Sequence, residues 1–130
     1  MDMYQEIILD HYRHPQNRGT IAGADVSAED SNPVCGDVLI FQMKIAGGII
    51  KDIKFGGNGC AISQASADML AGMAKGMRLE DAARLSKDDI LQALSIDISP
   101  ARLKCALLCL KVMKIGLYGY MGKAADPDAE

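Results

Sequence analysis

The sequence predicts an α+β fold, a small antiparallel meander followed by helices. Three observations predict it. Residues 38–45 and 49–55 are rich in β-branched and aromatic side chains and flank Ala46-Gly47-Gly48, a hairpin turn signal. Beyond Gly59 the pattern changes to helical spacing with helix-start signals. A chain of 130 residues that is 49% hydrophobic and 24% charged is long enough to bury a core as one domain, residues 1–130, without disulfides.

Each element has its own reason. Residues 3–13 set Ile7, Ile8 and Tyr12 among polar neighbours, the pattern of a short amphipathic helix. His14-Pro15 ends it, because a residue before proline avoids the helical region, and Asn17 and Gly19 supply turn conformations. Residues 23–30 alternate weakly, as an edge strand does. In the hairpin, residues 49–55 place Ile49, Ile53 and Phe55 on one face. Gly56-Gly57-Asn58-Gly59 breaks that strand abruptly. Residues 61–75 then form a helix with Ala61, Ala65, Met69 and Met73 along one side. Residues 79–94 make one or two short helices, with Ser86 as a cap. Ser99-Pro100 opens the last helix, since serine caps well and proline suits the first helical position; it runs to about Tyr118. Residues 119–130 read as a frayed tail.

Net charge is −3 and the 14 basic residues are dispersed, so nothing argues for a nucleic-acid partner. No apolar run reads as approaching the roughly 20 residues of a membrane span, and no membrane partner is expected. Met1 to Asp10 carries acidic residues and no basic one, the wrong composition for a secretory or transit peptide. The expected compartment is cytoplasmic, where thiols stay reduced and clustered cysteines bind metal or react more often than they cross-link.

Three of the four cysteines have glycine- or cation-flanked settings. Cys35 precedes Gly36-Asp37 at a loop-to-strand junction. Asp37 lies two residues on, so in extended chain its carboxylate shares a face with the thiol. Cys60 follows Gly57-Asn58-Gly59 at a helix start, where unpaired N–H groups and the helix dipole favour thiolate. Cys105 sits in the first turns of the last helix beside Lys104 and near Arg102, cations that also favour thiolate. Cys109, four residues later in an apolar run, reads as a core residue. His11 and His14 lack metal-ligand spacing to a cysteine and read as surface or capping residues. No C-x-x-C pair, Walker sequence, dinucleotide fingerprint or nucleophile elbow occurs. The residues alone thus reach a three-thiolate and carboxylate site for a soft metal or for sulfur, and stop there.

Four ordered segments together resemble the IscU/NifU N-terminal family of iron–sulfur cluster scaffolds, over nearly the whole chain. They are residues 4–19 with Asp10-His11-Tyr12 and Pro15-Gln16-Asn17-Arg18-Gly19, then Pro33-Val34-Cys35-Gly36-Asp37, then residues 57–63 around Cys60, then Arg102-Leu103-Lys104-Cys105-Ala106. The resemblance implies a three-stranded antiparallel sheet with helices packed on it and the three cysteines at one end. It implies a scaffold, not an enzyme. A cysteine desulfurase delivers sulfur as persulfide, iron arrives, and a [2Fe–2S] cluster is built and passed to Fe–S acceptor proteins. Further implied partners are a ferredoxin or iron donor, and the implied assembly is a monomer or a cluster-linked dimer.

Two departures shape the expectation. Many family members have histidine before the third cysteine, whereas Lys104 as an ammonium has no lone pair for a metal. The fourth ligand is therefore expected from Asp37, giving Cys35, Asp37, Cys60 and Cys105, with Cys109 as the other candidate. The family's Leu-Pro-Pro-Val-Lys chaperone motif is also absent from residues 97–103. Lys104 is instead reminiscent of the SufU branch, a zinc-dependent sulfur relay, although that branch's extra segment before the third cysteine is missing. The alternative reading is thus a zinc-dependent sulfur acceptor, with zinc in the cluster-free site. In either reading Cys105 is the expected first persulfide acceptor, the desulfurase docking at the cysteine-bearing end and near Tyr4.

Overall fold

A computed structural model describes residues 3–33, 36–94 and 98–125. Helix α1 (Met3–Arg13) is followed by strands β1 (Val26–Asn32), β2 (Asp37–Ala46) and β3 (Ile49–Asn58). Helices α2 (Ala61–Ala74), α3 (Leu79–Ala83), α4 (Lys87–Leu94) and α5 (Pro100–Ala125) complete the chain. The strands form one antiparallel sheet in the order β1-β2-β3.

Alternation sets the layers. Val26, Ala28, Leu39, Phe41, Met43, Ile53 and Phe55 are all buried, and register aligns them on one face: Val26 opposite Met43, Ala28 opposite Phe41, Phe41 opposite Phe55. Helices α2 and α5 cover that face, and α1 packs on α2. Gly116 of α5 is required by this contact, since a Cβ there would press on Val26 Cγ1 at 2.7 Å. Gly47 and Gly48 both take positive φ (60° and 75°), the tight two-residue turn expected between the hairpin strands.

Four details differ from expectation. Ile50, not Ile49, is buried beside Ile53 and Phe55. A bulge shifts the register between Lys44 and Ile45, so Ile45 pairs with Ile50 while Lys44 pairs with Asp52. One extra residue reverses the face of everything before it. Strand β3 also continues through Gly56, Gly57 and Asn58, which pair with Ile40, Leu39 and Val38. The glycines were expected to stop the strand. At Gly57 the φ is 111°, and a Cβ would collide with the Val38 carbonyl, so glycine here permits pairing rather than ending it.

Helix α5 runs on to Ala125, past the expected end at Tyr118, because Gly119 and Gly122 are tolerated within good helix formers. Its Arg102–Gly122 stretch is long and apolar enough to cross a membrane by length and composition, contrary to the expectation that no run approaches that length. Its apolar side chains are instead accounted for by the core: Ala106, Leu108, Cys109, Val112, Met113 and Leu117 are buried. The remaining helices follow their sequence signals. Ser86 and Asp89 form a reciprocal cap on α4, with Asp89 N–H donating to Ser86 Oγ at 3.3 Å and Ser86 N–H donating to Asp89 Oδ2 at 2.8 Å.

Candidate metal and sulfur site

Three elements deliver three ligand-type side chains to one place. Asp37 opens β2, Cys60 caps α2, and Cys105 lies in the second turn of α5. One carboxylate oxygen and the two sulfurs all fall within 4.8 Å of one another. Of the four predicted site residues, the structure thus brings together Asp37, Cys60 and Cys105. Cys35 lies outside the described residues.

The positioning is local and specific. Asp37 is fully buried, and its Oδ1 accepts the Cys60 backbone N–H at 2.9 Å. That bond fixes the loop before α2 against the start of β2. Gly59 makes the approach possible, since a Cβ there would collide with Asp37 Oδ1. Cys60 has extended backbone (φ −70°, ψ 165°), and its Sγ accepts the Ser63 N–H at 3.4 Å, a sulfur version of the usual oxygen cap. The sulfur is therefore oriented by the end of the helix it begins.

The second carboxylate oxygen, Asp37 Oδ2, is buried and has no hydrogen-bond partner. A buried carboxylate oxygen left unpaired is costly, so its presence points to a cation or donor that completes it. Two thiols and a carboxylate converging within this spread form a donor set that zinc or an iron–sulfur centre accepts.

Exposure separates the two cysteines. Cys60 is half-buried, whereas Cys105 is 1% exposed. A first sulfur acceptor is expected to be accessible, and Lys104 and Arg102 beside Cys105 are exposed, but Cys105 itself is not. One helical step turns the side chain by about 100°, and it carries Cys105 inward. Beside the first turns of α5 lies a cavity of about 430 Å³ whose lining includes Asn32, Pro33, Leu103, Lys104, Leu107 and Lys111. Lys111 is already engaged: its Nζ sits 2.8 Å from Asp30 and holds that carboxyl below the usual carboxylate range.

Cys109 is a core residue, as expected. It is 1% exposed, its Sγ contacts the Ala106 carbonyl at 3.5 Å, and burial pushes its thiol up to about 12. A thiol so desolvated stays protonated at neutral pH.

The two histidines part ways: His14 is exposed, as expected, whereas His11, its side chain 32% exposed, has a buried partner. Its Nδ1 lies 2.6 Å from Asp68 Oδ2, on a carboxylate whose side chain is fully buried. Asp68 Oδ1 also accepts the backbone N–H of Asn17 at 2.9 Å. Sequence reasoning passed over Asp68. The available signal was that Asp68 is the single charged residue in the run 61–74 of α2.

A three-stranded sheet covered on one face by helices, with a carboxylate and two thiols converging at one end, defines a thiol-rich domain built to hold metal or sulfur. The chain belongs to the NifU-like N-terminal domain family, which matches residues 3–127. It is 37% identical to the zinc-dependent sulfurtransferase SufU of Bacillus subtilis, over 88% of this chain and 89% of that one. That alignment spans 132 positions yet takes in only 88% of this chain, so SufU carries positions with no counterpart here. The chain is 33% identical to the iron–sulfur cluster assembly scaffold protein IscU 1 of Archaeoglobus fulgidus, over 97% and 82% of the two chains. Among solved structures, a protein from Fervidobacterium islandicum described as an iron–sulfur cluster assembly scaffold for the SUF system matches with a TM-score of 0.75. The two are 29% identical over 86% of this chain and 94% of that one.

Proposed function

We propose that this chain is a scaffold on which a [2Fe–2S] cluster is assembled from iron and desulfurase-derived sulfur and then handed to acceptor proteins. The observation that carries this reading is the convergence of Asp37, Cys60 and Cys105 on one point, with Asp37 Oδ2 buried and unpartnered. Cys35 completes the proposed ligand set. An oxygen ligand among thiolates leaves one iron easier to exchange, which suits a donor of clusters rather than an electron carrier. The proposed setting is one cytoplasmic domain with a cysteine desulfurase as sulfur source.

A second reading is favoured by a specific observation. The relative at 37% identity is a zinc-dependent sulfurtransferase, and the same three residues with Cys35 would give zinc four ligands. In that reading zinc would be held by Cys35, Asp37, Cys60 and Cys105, and would supply thiolate stabilisation and ligand orientation.

In both readings Cys105 is the proposed sulfur acceptor. Its thiolate attacks the outer sulfur of the donor's persulfide. A new S–S bond forms on Cys105, the donor's S–S bond breaks, and the donor's thiolate leaves with no net oxidation. Because Cys105 is buried, transfer requires the site to open where α5 begins.

The deciding experiment is anaerobic reconstitution of metal-free protein with desulfurase, cysteine and ferrous iron, followed by visible absorption and Mössbauer spectroscopy. A [2Fe–2S] spectrum lost in Cys60→Ser and Cys105→Ser supports the scaffold. Sulfur acceptance that strictly requires zinc, with no cluster formed, selects the relay instead. Mass spectrometry then locates the first added sulfur. Labelling of Cys60 at normal rate in Cys105→Ser would remove Cys105 from its role.

A further inference from the structure

A second cavity lies next to the cysteine loop and outside the metal site. It measures about 220 Å³ and is lined by Tyr12, Pro15, Arg18, Phe55, Gly59 and Gln64, among others. Arg18 is its one cationic side chain. The guanidinium stacks over Phe55 with its carbon 5.6 Å from the ring centroid. It donates to Gln64 Oε1 at 2.8 Å and to the Gly57 carbonyl at 2.6 Å. These contacts hold the planar fork in place while using only part of its five N–H donors. None of the ion pairs among the described residues involves Arg18.

Gln64 adds a second observation. It is 5% exposed, and because arginine can only donate, the oxygen of its amide must face Arg18. Its Nε2 is buried and has no acceptor. The pocket wall therefore combines an oriented guanidinium with no acidic partner among the described residues and the rings of Tyr12 and Phe55, with the buried, unsatisfied Gln64 amide behind the guanidinium it orients.

We propose that this pocket binds a carboxylate of amino-acid size, its anionic end on Arg18 and its stem beside Tyr12 and Pro15. A carboxylate matches a guanidinium in both planarity and charge. A phosphate monoester matches less well, because one cation does not offset its charge of nearly −2. Non-specific attraction does not account for such binding either, since the chain carries a net charge of −3. The carboxylate comes from one of two sources, a free small acid or an acidic side chain of a docked protein. The pocket adjoins the Asp37–Cys60–Cys105 centre through Gly59, and its assignment does not depend on what that centre holds.

The test is amide NMR titration of the full-length protein. The probes are glutarate, its neutral isostere glutaramide, inorganic phosphate and a capped Ala-Glu-Ala peptide. Expected are saturable shifts at the Arg18 Nε–H, the Gln64 side-chain amide and the Gly59 backbone with glutarate or the peptide. Glutaramide should bind at least about tenfold more weakly. Arg18→Gln should lose binding, and Arg18→Lys should recover only part of it. Tighter binding of glutarate assigns the small-acid source, and tighter binding of the peptide assigns the protein source; both support the pocket. Equal binding of glutaramide or of phosphate, or no saturable shift with either carboxylate probe, would overturn the proposal. The isostere comparison uses the wild-type protein, so it stands even if the variants fail to fold.

Discussion

Replacing Asp68 by alanine tests what holds the N-terminal segment to the body of the domain. The Asp68 carboxylate is fully buried and takes hydrogen bonds from His11 Nδ1 (2.6 Å), the Asn17 backbone N–H (2.9 Å) and Asn17 Nδ2 (3.2 Å). Removing one member of a buried charged network costs about 3–5 kcal/mol, mostly for partners left unpaired. Here the His11 side chain is 32% exposed and Asn17 is half-buried, so both can rehydrate in part. Solvent screening therefore places the expected loss at the low end, about 3 kcal/mol. For a domain of this size that corresponds to a melting temperature lower by roughly 10 °C. Asp68→Asn should cost only about 1 kcal/mol, because the amide oxygen still accepts from the Asn17 N–H. The assay is thermal unfolding followed by circular dichroism, with hydrogen exchange read across α1 and residues 14–19. Exchange there should accelerate in Asp68→Ala before the strands are affected. A loss below about 1 kcal/mol with unchanged exchange at α1 would refute the reasoning. Ile7 and Ile8 packing would then hold the helix without the carboxylate.

Other expectations follow from the site and the core. Gly59→Ala should weaken zinc binding and cost about 1–3 kcal/mol, because its Cβ meets Asp37, whereas Gly56→Ala has open space and should stay near wild type; competition titration with a zinc chelator and urea unfolding read both. Equal zinc affinity in the two variants would dismiss the close-approach argument. Cys109 retains its proton to about 12 when folded but loses it near 9.0 when unfolded, so above about pH 9 the unfolded state binds fewer protons and stability falls with rising pH, by up to about 1.4 kcal/mol per unit. Urea midpoints between about pH 8 and pH 10.5 should fall less steeply in Cys109→Ala than in wild type, and parallel curves would contradict this. Adding zinc to the metal-free wild type should raise its melting temperature, while Asp37→Ala should show a smaller rise if Asp37 is a ligand as proposed; equal rises would remove Asp37 from the set.

Much of the fold was legible because its signals are local. Helix α1 matches its predicted span, the Gly47-Gly48 turn has the positive φ values its sequence asks for, and Ser86 and Ser99 stand at the two helix starts they mark. What the sequence hid was set by pairing between distant segments. Whether Ile49 or Ile50 faces the core depends on the bulge opposite Lys44 and Ile45, and no local pattern encodes a one-residue slip. Gly57 reads as a breaker until the Val38 carbonyl is known to lie against it. The ligand-type residues Asp37, Cys60 and Cys105 were visible through their glycines and neighbours, and through resemblance of the four segments to one family. The burial of Cys105 was not visible, because adjacent cations say nothing about which way a helix is turned.

Helix α2 ties these observations together through one spacing. Cys60, Gln64 and Asp68 follow one another at intervals of four, so they lie along one side of the helix. Cys60 meets Asp37 and Cys105 in the candidate site, Gln64 meets Arg18, and Asp68 meets His11 and Asn17. The N-terminal segment is therefore docked along the same ridge that begins with the site cysteine. Apolar residues at 64 and 68 could hold α1 with equal or greater stability, since replacing buried ionic groups by well-packed hydrophobes is often neutral or favourable. What apolar contacts would not supply is register. His11, Asn17 and Arg18 each engage a particular atom of α2 or the adjoining loop, and a slip of one residue would break those bonds. Arg18 bridges Gln64 to the Gly57 carbonyl, three residues before Cys60. The N-terminal segment is thus tied by Arg18 to the loop whose end, at Cys60 N–H, is hydrogen-bonded to Asp37 Oδ1.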